Sequence, residues 1–421
     1  MSTVLHFSQS QPQPRDPVCL DYDLVIVGGG LVGLTLAAAL QHSKLKVLVV
    51  EAQPTSVAAT KGQAYHINLL SSRIFAEIGV WSAMRPGVNP IREIHLSDSD
   101  YAGKVQFTPA DLASEFLGYV AEHRVLLAAL RHFLQNCTHV TYLCPAELVH
   151  TTYGADGVEL TLITEGQTQA VRTQLLVAAD GARSPIRQGA GIATAGWQYG
   201  QACVVAFIKP EKSHQDIAYE RFQPEGPFAI LPLPDNLCRI VWTVPKEEAA
   251  AIAQLDDAAF LSRLKPRYGD QMGELQLVGE RFVFPVQLKH SLRYTQPRLA
   301  LIGDAAHCCH PVGGQGVNLG FRDAAALAEV ILSAHRQGED LGDQRVLRRY
   351  EQWRKLENLT ILGFTDLLNR LFSNSWMPVV WLRRIGLQAL RHIPLTRSIA
   401  LRLMVGLLGR RPRLGEVTVQ P

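Results

Sequence analysis

The sequence predicts an α/β protein: a parallel-sheet domain with two glycine loops, an inserted mixed or antiparallel sheet, and a helical C-terminal region. Three observations carry this prediction. An apolar run at 22–27 leads straight into Gly28-Gly29-Gly30-Leu31-Val32-Gly33. A second run, Leu299–Ile302, leads into Gly303-Asp304 and then the glycine-rich stretch 313–316. Between them, residues 196–245 change to two-residue alternation broken by Pro and Gly, the pattern of antiparallel strands. At 421 residues the chain exceeds the usual size of one hydrophobic core, so two domains are expected.

Composition narrows the class further. Hydrophobic residues make up 47% and charged residues 19%, which describes a folded globular chain rather than a disordered one. A net charge of +3 argues against a general nucleic-acid binder. Seven cysteines without regular spacing argue against a disulfide framework and for a reducing compartment. Residues 1–20 are rich in Gln, Pro and Ser and lack a charged start before an apolar core, so a disordered lead is expected rather than a secretory signal. No apolar run reaches the roughly 18 residues that span a bilayer. The expected location is cytoplasmic.

The first glycine loop has the strand, turn, helix and second strand of a Rossmann-like unit. Asp21–Val27 reads as a buried strand, Leu34–Leu40 as helix and Lys46–Val50 as the second strand, closed by Glu51. In this G-x-G-x-x-G fingerprint Gly28 permits the tight turn, Gly30 lets a pyrophosphate approach the backbone, and Gly33 lets helix pack on strand. The helix N-terminus offers free N–H groups and positive potential to phosphates, and Glu51 is placed to accept from a ribose hydroxyl. The fingerprint alone does not choose between FAD and NAD.

Further along, a carboxylate recurs at a strand end: Leu175–Ala179 precedes Asp180-Gly181, and Leu299–Ile302 precedes Gly303-Asp304. No second G-x-G-x-x-G follows a strand. The spacing of Gly303-Asp304, Pro311, Gly313, Gly316, Asn318 and Asp323, together with the first loop, resembles the class A flavoprotein monooxygenases, the FAD-dependent aromatic hydroxylases. Within that class the chain is most similar to the ubiquinone-biosynthesis hydroxylases of the UbiH/VisC/Coq6 type. That likeness runs from Tyr22 into the C-terminal region, over Gly118–Leu130, Gly196–Phe207, Glu220–Asp235 and Arg239–Val244.

The resemblance implies a para-hydroxybenzoate-hydroxylase-like fold with FAD as cofactor and NAD(P)H as a transient co-substrate. It implies a discontinuous FAD-binding domain over 21–88, 112–187 and 282–365, a substrate domain over 89–111 and 188–281, and C-terminal basic amphipathic helices over 366–421. In the family the first loop holds the ADP half of FAD, and the Asp matching Asp304 bonds the ribityl chain. Asp180-Gly181 stands where both FAD and NAD(P)H are contacted, and an Arg matching Arg124 reaches the phosphate or ribose. Relatives place a further Arg where this chain has Lys61-Gly62-Gln63, so that contact would fall to Lys61 or Gln63. Backbone N–H groups of Gly313, Gly314, Gln315 and Gly316 would meet the ring's N1/O2 edge, the helix beginning near Val317 would stabilise the anionic reduced ring, and Val317 and Asn318 count among the cofactor-binding candidates.

The implied chemistry is hydroxylation of the ring of a polyprenylated phenol in quinone biosynthesis. NAD(P)H reduces FAD, O2 adds at flavin C4a as a hydroperoxide, and the terminal oxygen passes to the ring. Two alternatives stay open: another FAD oxidoreductase of the same fold (a prenyl reductase or a hydroxylase of soluble aromatics), and a non-catalytic flavoprotein subunit of a quinone-biosynthesis complex. A homodimer is also compatible. A base near the phenol would help activate it, but the sequence does not identify one. His307 and Pro311 are the catalytic candidates, with loop hydrogen bonding the competing role for His307 and His310. His307-Cys308-Cys309-His310 suggests zinc, yet four consecutive residues rarely converge on one ion, so no metal is expected.

In the inserted sheet, Tyr219, Phe228, Leu231, Pro232 and Trp242 are candidates to line an apolar pocket. From Leu367 to Gly415 there is no Asp, Glu or Lys, but Arg recurs at 370, 383, 384, 391, 397, 402, 410, 411 and 413 among apolar residues at helical spacing. Such helices suit either a peripheral contact with the inner face of a membrane or a cap on the FAD domain with a solvated Arg face.

Overall fold

The structure is a computed structural model that describes residues 20–54, 63–98, 101–374 and 376–414. Most of the expected disordered lead, and Lys61, lie outside the described residues.

Strand β1 (Tyr22–Val27) runs between β2 (Val47–Val50) and β3 (Gln167–Ala178), parallel to both, and β3 pairs in parallel with a short strand at Leu299–Leu301. Val140–Leu143 extends the parallel sheet beyond β2. Leu24, Val25 and Ile26 are fully buried because both faces of the sheet are covered, which is why these strands read as continuous apolar runs. Helix α1 (Leu31–Ala39) lies against it with nearly every residue buried. The far part of β3 turns antiparallel against Val158–Thr164, which pairs in turn with Glu147–Tyr153.

The second large sheet contains β4 (Thr194–Pro210), β5 (Ile217–Gln223), β6 (Gly226–Leu233), β7 (Leu237–Pro245) and β8 (Leu275–Ser291) in the spatial order β8-β4-β7-β6-β5. Glu93–Asp98 and Tyr101–Phe107 extend it past β5, and the β5 to Glu93–Asp98 pairing is parallel, so the sheet is mixed. Strand β8 crosses residue 282 unbroken and pairs with β4 on both sides of it. His307–Cys308 pairs with the end of β8, tying the second glycine loop to this sheet.

Alternation gives the mixed sheet two different faces. Phe228 and Ile230 of β6, with Ile240 and Trp242 of β7, pack under Phe260, Leu264 and Tyr268 of the helix Asp257–Tyr268. Pro227, Ala229, Leu231, Arg239, Val241 and Thr243 point the other way, toward the parallel sheet. A small antiparallel sheet of Ala64–Asn68, Gly118–Glu122 and Val88–Ile91 fills the gap between the two.

Helix α2 (Gly316–Arg336) starts at the glycine loop and packs on α1; α3 (Gln344–Phe372), α4 (Met377–His392) and α5 (Pro394–Met404) complete the chain. This C-terminal stretch caps the body with Arg370, Arg391, Arg402, Arg410, Arg411 and Arg413 exposed and Arg383 and Arg397 turned inward. Arg383 is buried against Asp98 at 2.7 Å, Arg397 binds Asp111 at 2.6 Å and lies over the Phe107 ring, and Arg410 pairs with Glu329 over Trp353. Arg370 pairs with Asp366 at 2.9 Å. Acids from distant parts of the chain thus draw Arg383 and Arg397 inward. Beside the exposed Arg, large apolar side chains also remain outward: Trp376, Met377, Trp381, Leu382 and Ile385, then Leu395 and Ile399. None of the described helices is long and apolar enough to cross a membrane.

Candidate functional site

A cavity of about 610 Å³ lies between the carboxyl ends of the parallel strands and the inner face of the mixed sheet. That position, at the mouth of an open parallel sheet, is where such folds bind ligands. Of the residues expected from sequence to hold the cofactor, Gly30, Gly181, Asp304, Gly313, Gly314, Gly316 and Val317 line it, as does Pro311.

The glycines divide by what a side chain would meet. A Cβ on Gly28, which sits at φ +112°, would fall 2.2 Å from the Ala179 carbonyl oxygen; one on Gly33 would fall 2.0 Å from that of Gly28. These two let α1 lie on the sheet. A Cβ on Gly30 or Gly181 would meet nothing within 4 Å. Both positions therefore border open space that a ligand can approach to backbone distance. Gly30 is the N-cap of α1, whose first N–H groups have no helical partner, so a diphosphate fits here. Glu51 braces the same turn, accepting from the Gly29 N–H at 2.7 Å and the Gln53 N–H at 2.8 Å.

At the second loop the Asp304 carboxylate opens onto the cavity while protein walls it on its other sides, and this burial raises its pKa. It is suited to accept from hydroxyls of a bound polyol chain. Asp180 lies behind Gly181, accepting from the Ile186 N–H at 3.3 Å, with its pKa also raised by burial. Gly313 and Gly314 both have positive φ, and α2 begins at Gly316 with its N-terminus at the cavity.

Several expected site residues act from behind the wall. Asn318 is fully buried: its amide donates to the carbonyls of His66 (2.7 Å) and Gly314 (2.8 Å), and its oxygen accepts from the Asn68 N–H and the Ser71 hydroxyl. Gln315 donates to the Gly313 and Met404 carbonyls, pinning the loop to the end of α5. Gly303 donates its N–H to Asp323 at 3.1 Å. The structure also places His307 away from the cavity. Its ring is 1% exposed and bonds Asp323 at 2.6 Å, in a cluster with Arg354 and Asn358. Burial alone would raise the Asp323 pKa, but His307 and Arg354 outweigh it and hold the carboxyl well below its ordinary range. As a catalytic candidate His307 is thus replaced by a structural role: it is bound on its acidic partner with no route to the cavity. Arg124 is exposed, bidentate to Glu122 at 2.8 Å, and does not line the cavity. Gln63 does line it.

On the facing wall, Tyr219 and Leu231 line the cavity as expected, whereas Phe228 and Trp242 belong to the opposite, helix-covered face and Pro232 does not reach it. The sequence reading missed Tyr65, His66, Glu220, Arg239, Met404 and the turn of wall at Phe284–Gln287. Tyr65 and His66 follow no motif, so nothing local marks them. Glu220 did carry a signal, a carboxylate between Ala218 and Phe222 on the inward face of strand β5. Among the described residues no three His, Cys, Asp or Glu side chains converge as metal ligands.

Comparison with known proteins agrees with this geometry. Residues 21–361 match the model of the FAD binding domain family. The chain belongs to that family. This flavoprotein is 39% identical over 393 residues to a ubiquinone hydroxylase, UbiL, of Rhodospirillum rubrum, covering 93% of this chain and 91% of the relative. It is 34% identical over 390 residues to the 3-demethoxyubiquinol 3-hydroxylase of Escherichia coli, covering 91% and 98%. In fold it matches p-nitrophenol 4-monooxygenase PnpA of Pseudomonas putida with a TM-score of 0.79 at 19% identity, covering 93% of this chain and 99% of that one. The flavoprotein is an FAD-dependent aromatic monooxygenase with NAD(P)H as electron donor.

Proposed function

We propose that this flavoprotein hydroxylates the ring of a polyprenylated phenol on the way to a quinone, and that it takes this substrate from a membrane surface. The observation that carries the reading is the pairing of two unlike walls on one cavity: a glycine-backbone wall built for the cofactor, and a largely apolar sheet wall facing it. When bound, FAD supplies reduction by NAD(P)H and activation of O2. The chain's own residues do the rest. Gly30 and the α1 N-terminus bind the diphosphate, and Asp304 orients the polyol chain. The 313–317 backbone faces the ring, while Ala229, Leu231 and Val241 hold the substrate ring and exclude water. In this reading the parallel-sheet part is the FAD-binding unit and the mixed sheet the substrate unit.

The membrane contact rests on α4 and α5. Their outward apolar residues, two of them Trp, are flanked by the exposed Arg391 and Arg402, a combination that suits an anionic lipid interface. Helix α5 runs from exposed Leu395 to Met404 in the cavity wall, about 14 Å at the helical rise. The test is conversion of 2-geranylphenol by the FAD-loaded protein on anionic vesicles, with 18O2 supplied. One heavy oxygen in the product is expected. NAD(P)H oxidation without labelled product would reject the reading. Trp376→Ser with Trp381→Ser should abolish vesicle co-sedimentation while leaving FAD bound; unchanged sedimentation would remove the membrane contact.

A further inference from the structure

We propose that Glu220 is the group that receives the proton of the substrate's ring hydroxyl, making it a catalytic residue of the hydroxylation. The inference rests on the functional reading above and adds the base that reading lacks.

Position comes first. Glu220 lies on β5, opposite Ala229 of β6 on one side and Leu96 of the strand Glu93–Asp98 on the other. Its side chain opens on the cavity from the apolar sheet wall. On the same strand face, Ala218 also reaches the cavity, and Phe222 is buried beyond it. A carboxyl is costly to place in such surroundings unless something there uses it.

Isolation comes second. Glu220 forms no ion pair among the described residues, and the polar group it meets is the backbone of Gly313. That glycine belongs to the loop expected to face the cofactor's ring. Glu220 therefore stands between the ring's side of the cavity and the substrate's wall, with acceptor capacity to spare. Burial pushes its pKa up to about 7, the Gly313 hydrogen bond opposing the shift. A base with that value exchanges protons near neutral pH, where general-base catalysis is most efficient.

The other titratable groups facing this space are less suited. From the strand Ala64–Asn68, Tyr65 is raised above its ordinary value by burial and bonded to Gln63, while His66 is lowered by burial and held by the Gly313 carbonyl at 3.2 Å. From the second glycine loop, Asp304 lies with the cofactor-binding residues, and Cys309 is pushed up to about 12 by burial. Arg239 on β7 is a cation, Tyr219 on β5 is raised by burial, His123 meets the Tyr65 hydroxyl at 3.5 Å, Cys308 is raised by burial, and Arg183 presents a guanidinium rather than a base. Arg239 would favour the phenolate that Glu220 creates. In the step itself, the substrate O–H bond breaks, its proton passes to a Glu220 carboxylate oxygen, and its electron pair stays on the ring oxygen. The ring is thereby made electron-rich for attack at the adjacent carbon, and the proton returns to the product oxygen.

The test uses the full chain loaded with FAD, 2-geranylphenol and its methyl ether. In the wild type, product formation should rise with pH through about 7 as Glu220 becomes the carboxylate that takes the proton in the transition state. Glu220→Gln should lose about 100-fold in product formation and lose the acid limb. FAD retention and methyl ether binding should be unchanged. A Glu220→Gln protein within about 3-fold of wild type and with the same acid limb would overturn the proposal. So would loss of FAD or of folding in both Glu220→Gln and Glu220→Asp, which would mark a structural role. A wild type that binds the phenol but inserts no oxygen at any pH would reject the functional reading, whereas oxygen insertion with an acid limb that Glu220→Gln keeps would reject the base alone.

Discussion

The two walls of the cavity are built on opposite principles. The cofactor wall is backbone: glycines at 30, 181, 313, 314 and 316, two helix N-termini, and one carboxylate facing in. The facing wall is side chain: alternate residues of β5, β6 and β7, mostly apolar, with Glu220 and Arg239 set among them. A backbone wall depends on residues that have no side chain, so each position there tolerates almost nothing else. A side-chain wall depends on which of two faces a strand turns inward, and many apolar residues serve equally well.

The sharpest way to break this contrast is within the first loop. Gly28→Val places Cβ 2.2 Å from the Ala179 carbonyl oxygen at a φ of +112°, so it should yield no folded protein. Gly30→Val meets only open space, so it should fold with wild-type far-ultraviolet circular dichroism yet purify colourless. A yellow Gly30→Val protein would show that the diphosphate does not lie where the loop leaves room for it.

On the opposite wall, face should matter more than residue type. Trp242, 1% exposed under the helix Asp257–Tyr268, should cost about 3–5 kcal/mol in urea unfolding when changed to Ala. Leu231→Ala on the cavity side should cost less than half of that and act instead on substrate KM. Equal losses of stability would mean that the two faces are packed alike.

Glu220 predicts a pH effect on stability itself. Its folded pKa of about 7 lies above the ordinary carboxylate value, so below about 4.5 the side chain is protonated in both states and its stabilising contribution is fully present. That contribution is lost as pH rises through about 7, by up to roughly 3 kcal/mol. Denaturation of wild type and Glu220→Gln between pH 5 and 8.5 should show the wild type losing ground to the variant. Parallel curves would place Glu220 in water. The smallest expected effect is at Asp304: Asp304→Ala should weaken FAD about 10- to 100-fold by loss of charge-assisted hydrogen bonds, with urea unfolding of the cofactor-free protein little changed. Unchanged flavin affinity would remove the polyol role.

The same contrast explains what could be read before the structure. Gly28, Gly30 and Gly33 are recognisable because a fixed turn and a fixed helix approach demand glycine at that spacing. The mixed sheet was visible as alternation, yet Phe228 and Trp242 were placed on its wrong side. Alternation defines two faces without saying which one the helices at 246–268 will cover. His307 looked chemical because it lies beside two cysteines. Asp323, sixteen residues later and about two helix turns into α2, reaches back and takes it into a buried cluster with Arg354.

By itself the sequence determined the α/β architecture, the two glycine loops and the strand-end carboxylates. All of these are local, since backbone conformation and short spacings decide them. Only the tertiary structure decided which face of the mixed sheet meets the cofactor. It also turned Arg383 and Arg397 inward onto distant acids, left apolar residues of α4 and α5 exposed beside Arg391 and Arg402, and put Glu220 against Gly313, some ninety residues away. Those outcomes depend on contacts between segments far apart in the chain, where charge pairing and burial are settled only when the sheets close on one another.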